Sequence, residues 1–339
     1  MSLDEFAKVE ESTAELRKAL DRALKKSDTL KRKNDELWQA VYQAAHDATS
    51  SITIPKVPVP KKDRRSKDKE AAISFLSDVQ LGKVTPSYSS EVAADRLALL
   101  GSKVTNLTDI QRSDHPVTEC WVLNLGDFVE GELIFPGQEH RIDSGLYTQA
   151  VAEGPSLIAA YLRTLAASFE VVHVVSVIGN HGAIGGQQRR NMRPETNADA
   201  MAYEVARLLT KDEPRIVWEN PNVVPGERNW YAQPTIMGQK WMMVHGDQIR
   251  GGFAGFPFYG LAKKVWGWNA TLESFRYLAF GHWHTPTRIY LNGITAWCNG
   301  STESDNTYAQ ESLAASGEPS QWLLFSSERG VTAEYEVQL

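Results

Sequence analysis

Cysteine is nearly absent: Cys120 and Cys298 are the only two in 339 residues, so neither a disulfide framework nor a thiolate-rich zinc site can be built. Long hydrophobic runs are missing too. No apolar stretch approaches the ~18 residues needed to cross a bilayer, and the opening MSLDEFAKVEES is charged, without the apolar segment of a secretory signal. A cytoplasmic protein with no membrane partner is expected. Neither a P-loop nor a nucleophilic-serine elbow occurs. Basic charge is not in excess, since 36 Lys+Arg stand against 42 Asp+Glu, formally −6. That balance argues against a general polyanion binder and suits a protein that holds divalent cations or meets polyanions at local patches. With 42% hydrophobic and 23% charged residues, the composition is that of an ordinary globular protein, not of a fibre or a disordered chain.

Proline and glycine are also absent from residues 3–48, which are rich in good helix formers. Stepping alternately by three and four from Phe6 passes through Val9, Leu16, Leu20, Leu30, Leu37 and Val41, an unbroken heptad series. Asn34 falls at an a-type position, where a polar residue often sets register and oligomer state. Residues 1–50 therefore read as a coiled-coil segment that makes a homodimer or higher homo-oligomer through 3–48; the alternative is a helix packed on its own body. Residues 51–70 form a linker containing Pro55, Pro58 and Pro60 and the basic run Lys61, Lys62, Arg64, Arg65, Lys67 and Lys69. That run either touches nucleic-acid backbone or is simply solvated.

From 71 to 339 the pattern is one domain of short apolar runs separated by amphipathic helical stretches. Residues 71–77, 118–125, 171–178, 241–245, 277–281 and 294–298 read as buried strands, with helices near 91–108, 148–168 and 196–210, which implies an α/β fold. Polar residues follow the strand ends: Asp78 and Gln80 after the first, Asp127 after the second, Asn180 and His181 after the third, His245 closing the fourth, His282 and His284 after the fifth. Ligands bind beyond the carboxyl ends of strands in such sheets, so these groups can converge. Carboxylate, amide oxygen and imidazole together suit Mn²⁺, Fe²⁺, Co²⁺ or Zn²⁺. Two such ions form a clamp for phosphoryl displacement.

In this order SDVQLG, LGDFVEG, GNHG, VHGD and GHWH resemble the five motifs of calcineurin-like metallophosphoesterases. The resemblance runs from about residue 72 to the end. It implies a two-sheet sandwich flanked by helices in four layers, α/β/β/α, and a dinuclear centre, with Mn²⁺ the foremost choice of metal. By motif, Asp78, Gln80, Asp127 and His284 would hold one ion. Asp127, Asn180, His245 and His282 would hold the other, and His181 would be the catalytic imidazole. A narrower likeness, carried by GDFVEGELIFPGQEHRID (126–143), is to the proofreading small subunit of archaeal D-family DNA polymerase and to double-strand-break repair nucleases. It implies a Mn²⁺-dependent phosphodiesterase on nucleic acid, a DNA exonuclease; the acidic body argues against long duplex, so single strands or ends are the expected substrate.

Two departures bear on this. The family has Asp-x-His where this chain has Asp78-Val79-Gln80, and an acidic residue after GNH where this chain has Gly182. The carboxylate that orients His181 must then come from elsewhere, and a one-metal or low-activity protein stays open. Arg189, Arg190 and Arg193, and Arg250 in QIRGGFAGFPFYG (248–260), are candidates for substrate phosphate, the alternative being solvated or tightly folded loops. His140 is a candidate to approach the site, while His173 inside its strand reads as a core residue. Small phosphodiesters or phosphomonoesters, and a catalytically weak metal-binding scaffold, are the competing functions.

Overall fold

The structure is a computed structural model that describes residues 56–184, 196–219, 230–251, 255–305 and 318–339, with isolated helical positions between 18 and 43. Contacts divide the chain into Met1–Ser51 and Ile52–Leu339. In the first unit Lys18, Lys25, Glu36, Gln39, Ala40 and Gln43 are helical and exposed. The heptad seam and the dimer expected from it otherwise lie outside the described residues. Of the linker, Val57 and Pro58 are held by their carbonyls, which accept from Arg215.

The second unit holds two six-stranded sheets. In the first, β1 (Glu70–Leu76), β2 (Val117–Asn124), β3 (Val171–Ser176) and β4 (Ile216–Trp218) run parallel. A C-terminal hairpin of β11 (Ser320–Ser327) and β12 (Gly330–Gln338) extends it antiparallel beside β1. The second sheet has the order β5 (Tyr231–Ala232), β7 (Gln239–Val244), β8 (Tyr277–Phe280), β10 (Ile294–Cys298), β9 (Thr287–Leu291), with β6 (Thr235–Ile236) paired to β7. Here β7, β8 and β10 are parallel.

Alternation of side chains along these strands makes the layers. Ile73, Phe75, Leu123 and Val175 of the first sheet share one core with Trp241, Met243, Ala279 and Trp297 of the second. Phe75 meets Trp241 edge-on at 6.3 Å, and Trp241 stacks on Trp297 at 5.5 Å. Each such ring contributes ~2–3 kcal/mol by burial. The intervening residues face helices: the Ser74 hydroxyl bonds that of Tyr161 at 2.7 Å, on α2 (Glu153–Ala166). That helix continues from a π turn at Thr148–Ala152 and packs between α1 (Ser90–Gln111) and α3 (Ala198–Leu209). On the far side, Leu261, Val265 and Trp268 of α4 (Phe258–Thr271) cover Met242, Val244, Leu278 and Phe280. The result is the expected α/β/β/α sandwich. No helix among the described residues is long and apolar enough to cross a membrane.

Candidate metal centre

Because β1, β2, β3, β7 and β8 all end at one edge of the sandwich, the loops that follow them meet there. Glycines allow the closest approaches. A Cβ on Gly179 would sit 2.1 Å from Asp127 Oδ1, and one on Gly281 would sit 2.3 Å from Asp78 Oδ2. Either contact is impossible, so any side chain at these positions would push a carboxylate away.

Asp127, Asn180, His245 and His282 come together as expected, and ligand atoms of Asp127, His245 and His282 all lie within 4.8 Å of one another. His245 Nδ1 donates to the Leu125 carbonyl at 2.8 Å, which turns Nε2 inward. Nε2 then faces Asp127 Oδ2 at 2.9 Å, Asn180 Oδ1 at 3.0 Å and His282 Nδ1 at 3.2 Å. Asp127 Oδ2 is buried and accepts no hydrogen bond. Four atoms able to offer lone pairs converge, one of them a buried carboxylate oxygen. A proton is the most the protein can place among them, and a divalent cation fits the set. The electrostatics agree. Burial disfavours charge on His245, yet Asp127 raises it to about 10. Burial and the charge of His245 instead push His282 well below the usual imidazole value. Burial likewise opposes ionisation of Asp127, but His245 and His181 hold its carboxyl well below the ordinary range.

The second half of the expected centre is arranged differently. His284 Nε2 faces Asp78 Oδ1 at 3.1 Å, and both Asp78 oxygens accept the His282 backbone N–H at 3.1 Å. Nδ1 of His284 is held at 2.6 Å by Glu303 Oε1. This carboxylate–imidazole support fixes which nitrogen points inward. Although burial opposes it, Glu303 and Asp78 raise His284 to about 10. Gln80 lies at the site, but its Oε1 accepts from Lys83 Nζ at 2.7 Å, and its Nε2 is 3.3 Å from His181 Nε2.

His181 is buried beside Asp127, whose Oδ1 accepts the His181 backbone N–H at 2.7 Å. The carboxylate missing after GNH is supplied by Glu130, with Oε2 3.0 Å from Nδ1. Burial lowers the imidazole's basicity, but Asp127 and Glu130 outweigh it and bring His181 to about 9. While neutral, Nε2 accepts from the Gln80 amide. Once protonated, it needs an anion in that place.

Three functional residues were not singled out in the sequence. Glu130 stands inside LGDFVEG, where its offset from Asp127 was a usable signal. Glu303 lies in the loop after β10, and Asp199 in the first turn of α3; neither sits in a motif. Asp199 Oδ1 accepts from the backbone N–H groups of Phe128 and Val129, and Oδ2 from those of Asp127 and Gly179.

Of the remaining candidates, Arg189, Arg190 and Arg193 lie outside the described residues, and Arg250 is exposed. The His140 side chain is 82% exposed and pairs with Glu139 instead of entering the site. His173 stacks on Trp121 and pairs with Glu219, away from the centre. Within 248–260, Phe256 is buried under Phe280 and Trp283, whereas Phe258 and Tyr259 begin α4 and are exposed.

No protein-family model matches the chain, and no curated protein sequence matches it. Solved structures do. An archaeal phosphodiesterase is 10% identical, with 79% of this chain and 99% of that one covered and a TM-score of 0.39. Wild-type Vps29 from Entamoeba histolytica, complexed with zinc, is 15% identical over 78% of this chain and 98% of that one, with a TM-score of 0.34. A putative 5′-nucleotidase from Staphylococcus aureus is 10% identical over 80% of this chain and 54% of that one, also at 0.34.

Proposed function

We propose that this chain is a divalent-metal-dependent phosphoesterase, a phosphodiesterase whose substrate is nucleic acid presented as a single strand or an end. The observation that carries the reading is the meeting of Asp127 Oδ2, Asn180 Oδ1, His245 Nε2 and His282 Nδ1 at one point, with the Asp127 oxygen buried and facing the His245 imidazole. Asp127, Asn180, His245 and His282 would hold the ion, with Asp78 and His284 beside them; Mn²⁺ is foremost, and Fe²⁺, Co²⁺ and Zn²⁺ share the donor preference. An ion in such a set supplies Lewis acidity toward a phosphoryl oxygen and an activated water. The protein's own part is positional and protonic. Glu130 holds the His181 ring by Nδ1, so that Nε2 stabilises phosphate oxygen or protonates the leaving oxygen.

The substrate class is supported by Phe135. Its ring stands edge-on to His181 at 5.6 Å, and the residue is 37% exposed, so that a base beside His181 would meet it. An acidic body favours short or single-stranded substrates, which need fewer phosphate contacts than a long duplex. A homodimer through residues 3–48 belongs to the same proposal.

The test is digestion of a 5′-labelled single-stranded DNA oligonucleotide in Mn²⁺, with Asp127→Asn as control. A ladder of shortened products that vanishes in the variant supports a nuclease acting 3′→5′. An intact oligonucleotide sinks the nucleic-acid assignment and leaves small phosphoesters as the substrates to try.

A further inference from the structure

We propose that the Lys83 ammonium takes the place of a second firmly held metal ion, so that the chain binds one divalent cation tightly and presents a lysine beside it. The inference rests on the metal-dependent reading above and concerns the half-site of Asp78, Gln80 and His284.

The local backbone brings the lysine there. Residues Gln80 to Lys83 form a turn closed by Lys83 N–H to the Gln80 carbonyl at 3.0 Å, with Gly82 at φ 101°. Such a turn needs glycine at its third position. It lays the Lys83 side chain against that of Gln80, and Nζ reaches Oε1 at 2.7 Å. That oxygen is the only atom through which an amide ligates a hard cation. The other end of the amide, an NH₂ group, points toward His181.

Glu303 completes the arrangement. Its fully buried carboxylate accepts from His284 through Oε1 and pairs with Lys83 through Oε2. One acidic group therefore binds both the inward-facing imidazole and the ammonium that stands next to it. Lys83 is itself mostly buried, with 15% of its side chain exposed. A buried cation of this kind persists only because carboxylate and amide oxygens surround it.

The count of donors then differs between the halves. Asp127, expected to bridge, has Oδ1 occupied by the His181 N–H and Oδ2 turned to His245. Asp78 and His284 remain, two ligands where the other half has four. Among the described residues, the one grouping with metal-ligand spacing is Asp127, His245 and His282, and it includes neither Asp78 nor His284. Two ligands next to a fixed positive charge make a weak site for a divalent ion. An ammonium offers phosphate the same sign of charge and a hydrogen-bond donor, without Lewis acidity. Two protons of Lys83 go to Gln80 and Glu303, which leaves the third for a phosphate oxygen.

The experiment counts ions. The full chain and its Lys83→Gln and Lys83→Arg variants are equilibrated with Mn²⁺, dialysed and assayed by elemental analysis. Mn²⁺ electron paramagnetic resonance is recorded in parallel, and circular dichroism checks folding. One ion per chain with an uncoupled spectrum is expected for wild type and Lys83→Arg. Two ions with an exchange-coupled spectrum are expected for Lys83→Gln. Two firmly held ions in the wild type, or a single ion in well-folded Lys83→Gln, would overturn the assignment to lysine. If Lys83→Gln does not fold, the wild-type count and spectrum decide alone. No ion in the wild type would sink the metal-dependent reading itself, a result distinct from either of those.

Discussion

Asp199 offers the sharpest test of how the centre is held. Its carboxylate accepts four buried backbone N–H groups, three from the loop after β2 and one from the loop after β3. Those loops carry Asp127 and Asn180. Replacing Asp199 with alanine strands all four donors, at ~1–3 kcal/mol each where water does not enter. Against that stands a relief. Burial and the neighbouring Asp127 charge raise Asp199 from 3.8 to about 6, a penalty of order 3 kcal/mol in the ion-free chain at neutral pH. The donors win, and Asp199→Ala should lose stability without metal, by about 1–9 kcal/mol. With an ion on Asp127 the repulsion fades, so the variant loses more, and its metal affinity falls ~10–100-fold. The sign of the pH effect is also set. The folded acid binds its proton more tightly than the unfolded one, so this group makes stability fall as pH rises from about 4 to about 6. Asp199→Asn should flatten that segment. Urea unfolding with and without Mn²⁺, at pH 5 and 7, together with chelator competition, measures all three. Asp199→Ala within 0.5 kcal/mol of wild type by about the scatter of ordinary surface substitutions, with metal affinity unchanged, would refute the reasoning.

Glu130→Gln removes the charge that supports His181; phosphodiesterase turnover should drop ~10–100-fold and its alkaline limb move to lower pH, with metal content unchanged by elemental analysis. In the ion-free chain His245 titrates at about 10 and His282 is already neutral. Ion binding at pH 8 should therefore release about one proton, and Kd should fall about tenfold per pH unit from 7 toward 10; calorimetry in buffers of different ionisation enthalpy reads the proton, and a pH-independent Kd contradicts it. Glu303 is lowered from 4.5 by His284 and Lys83 despite its burial, and His284 is raised to about 10. The carboxylate's contribution is present above about 4.5 and lost in acid, and the imidazole's is present below 6.5 and lost as pH rises through about 10. Glu303→Gln should thus cost about 3 kcal/mol near neutral pH, a cost that begins to shrink below about pH 4.5 and goes on shrinking through pH 3, as seen in denaturant melts across that range.

The strands that carry the candidate ligands were legible because each is largely buried and reads as an apolar run. Starts for β1, β2, β3, β8 and β10 fall within a residue or two of expectation. The C-terminal hairpin was harder. In β12 the buried Gly330 and Val337 enclose partly exposed residues, so GVTAEYEVQ carries no continuous apolar signal. Strand β9 alternates between half-buried and exposed positions at a sheet edge. Helix α4 begins on Phe258 after a glycine-rich stretch whose composition suggests a loop. Which residues converge at the candidate centre was legible from order and position. Their supports were not, since Asp199 and Glu303 act across 72 and 19 residues of chain respectively, on Asp127 and His284, through contacts that only tertiary structure creates.

One property of the centre was invisible in the residue order and bears on how it works. Asp78, Gln80, Asp127, His282 and His284 all have left-handed backbone, with φ between 47° and 70°. Asp and His tolerate this region better than most residues, yet each such position costs of order 1 kcal/mol. Five of them in one site cannot persist on local preference. They persist because the loops are pinned from outside: by Asp199 on the Asp127 loop, by Asp78 on the His282 N–H, and by glycines too small to obstruct either carboxylate. The left-handed turn at Gln80 is the same one that delivers Lys83 to the site. Backbone strain and charge placement are therefore one design here. A residue that relaxed the turn at Gln80 would withdraw the lysine as well as the amide.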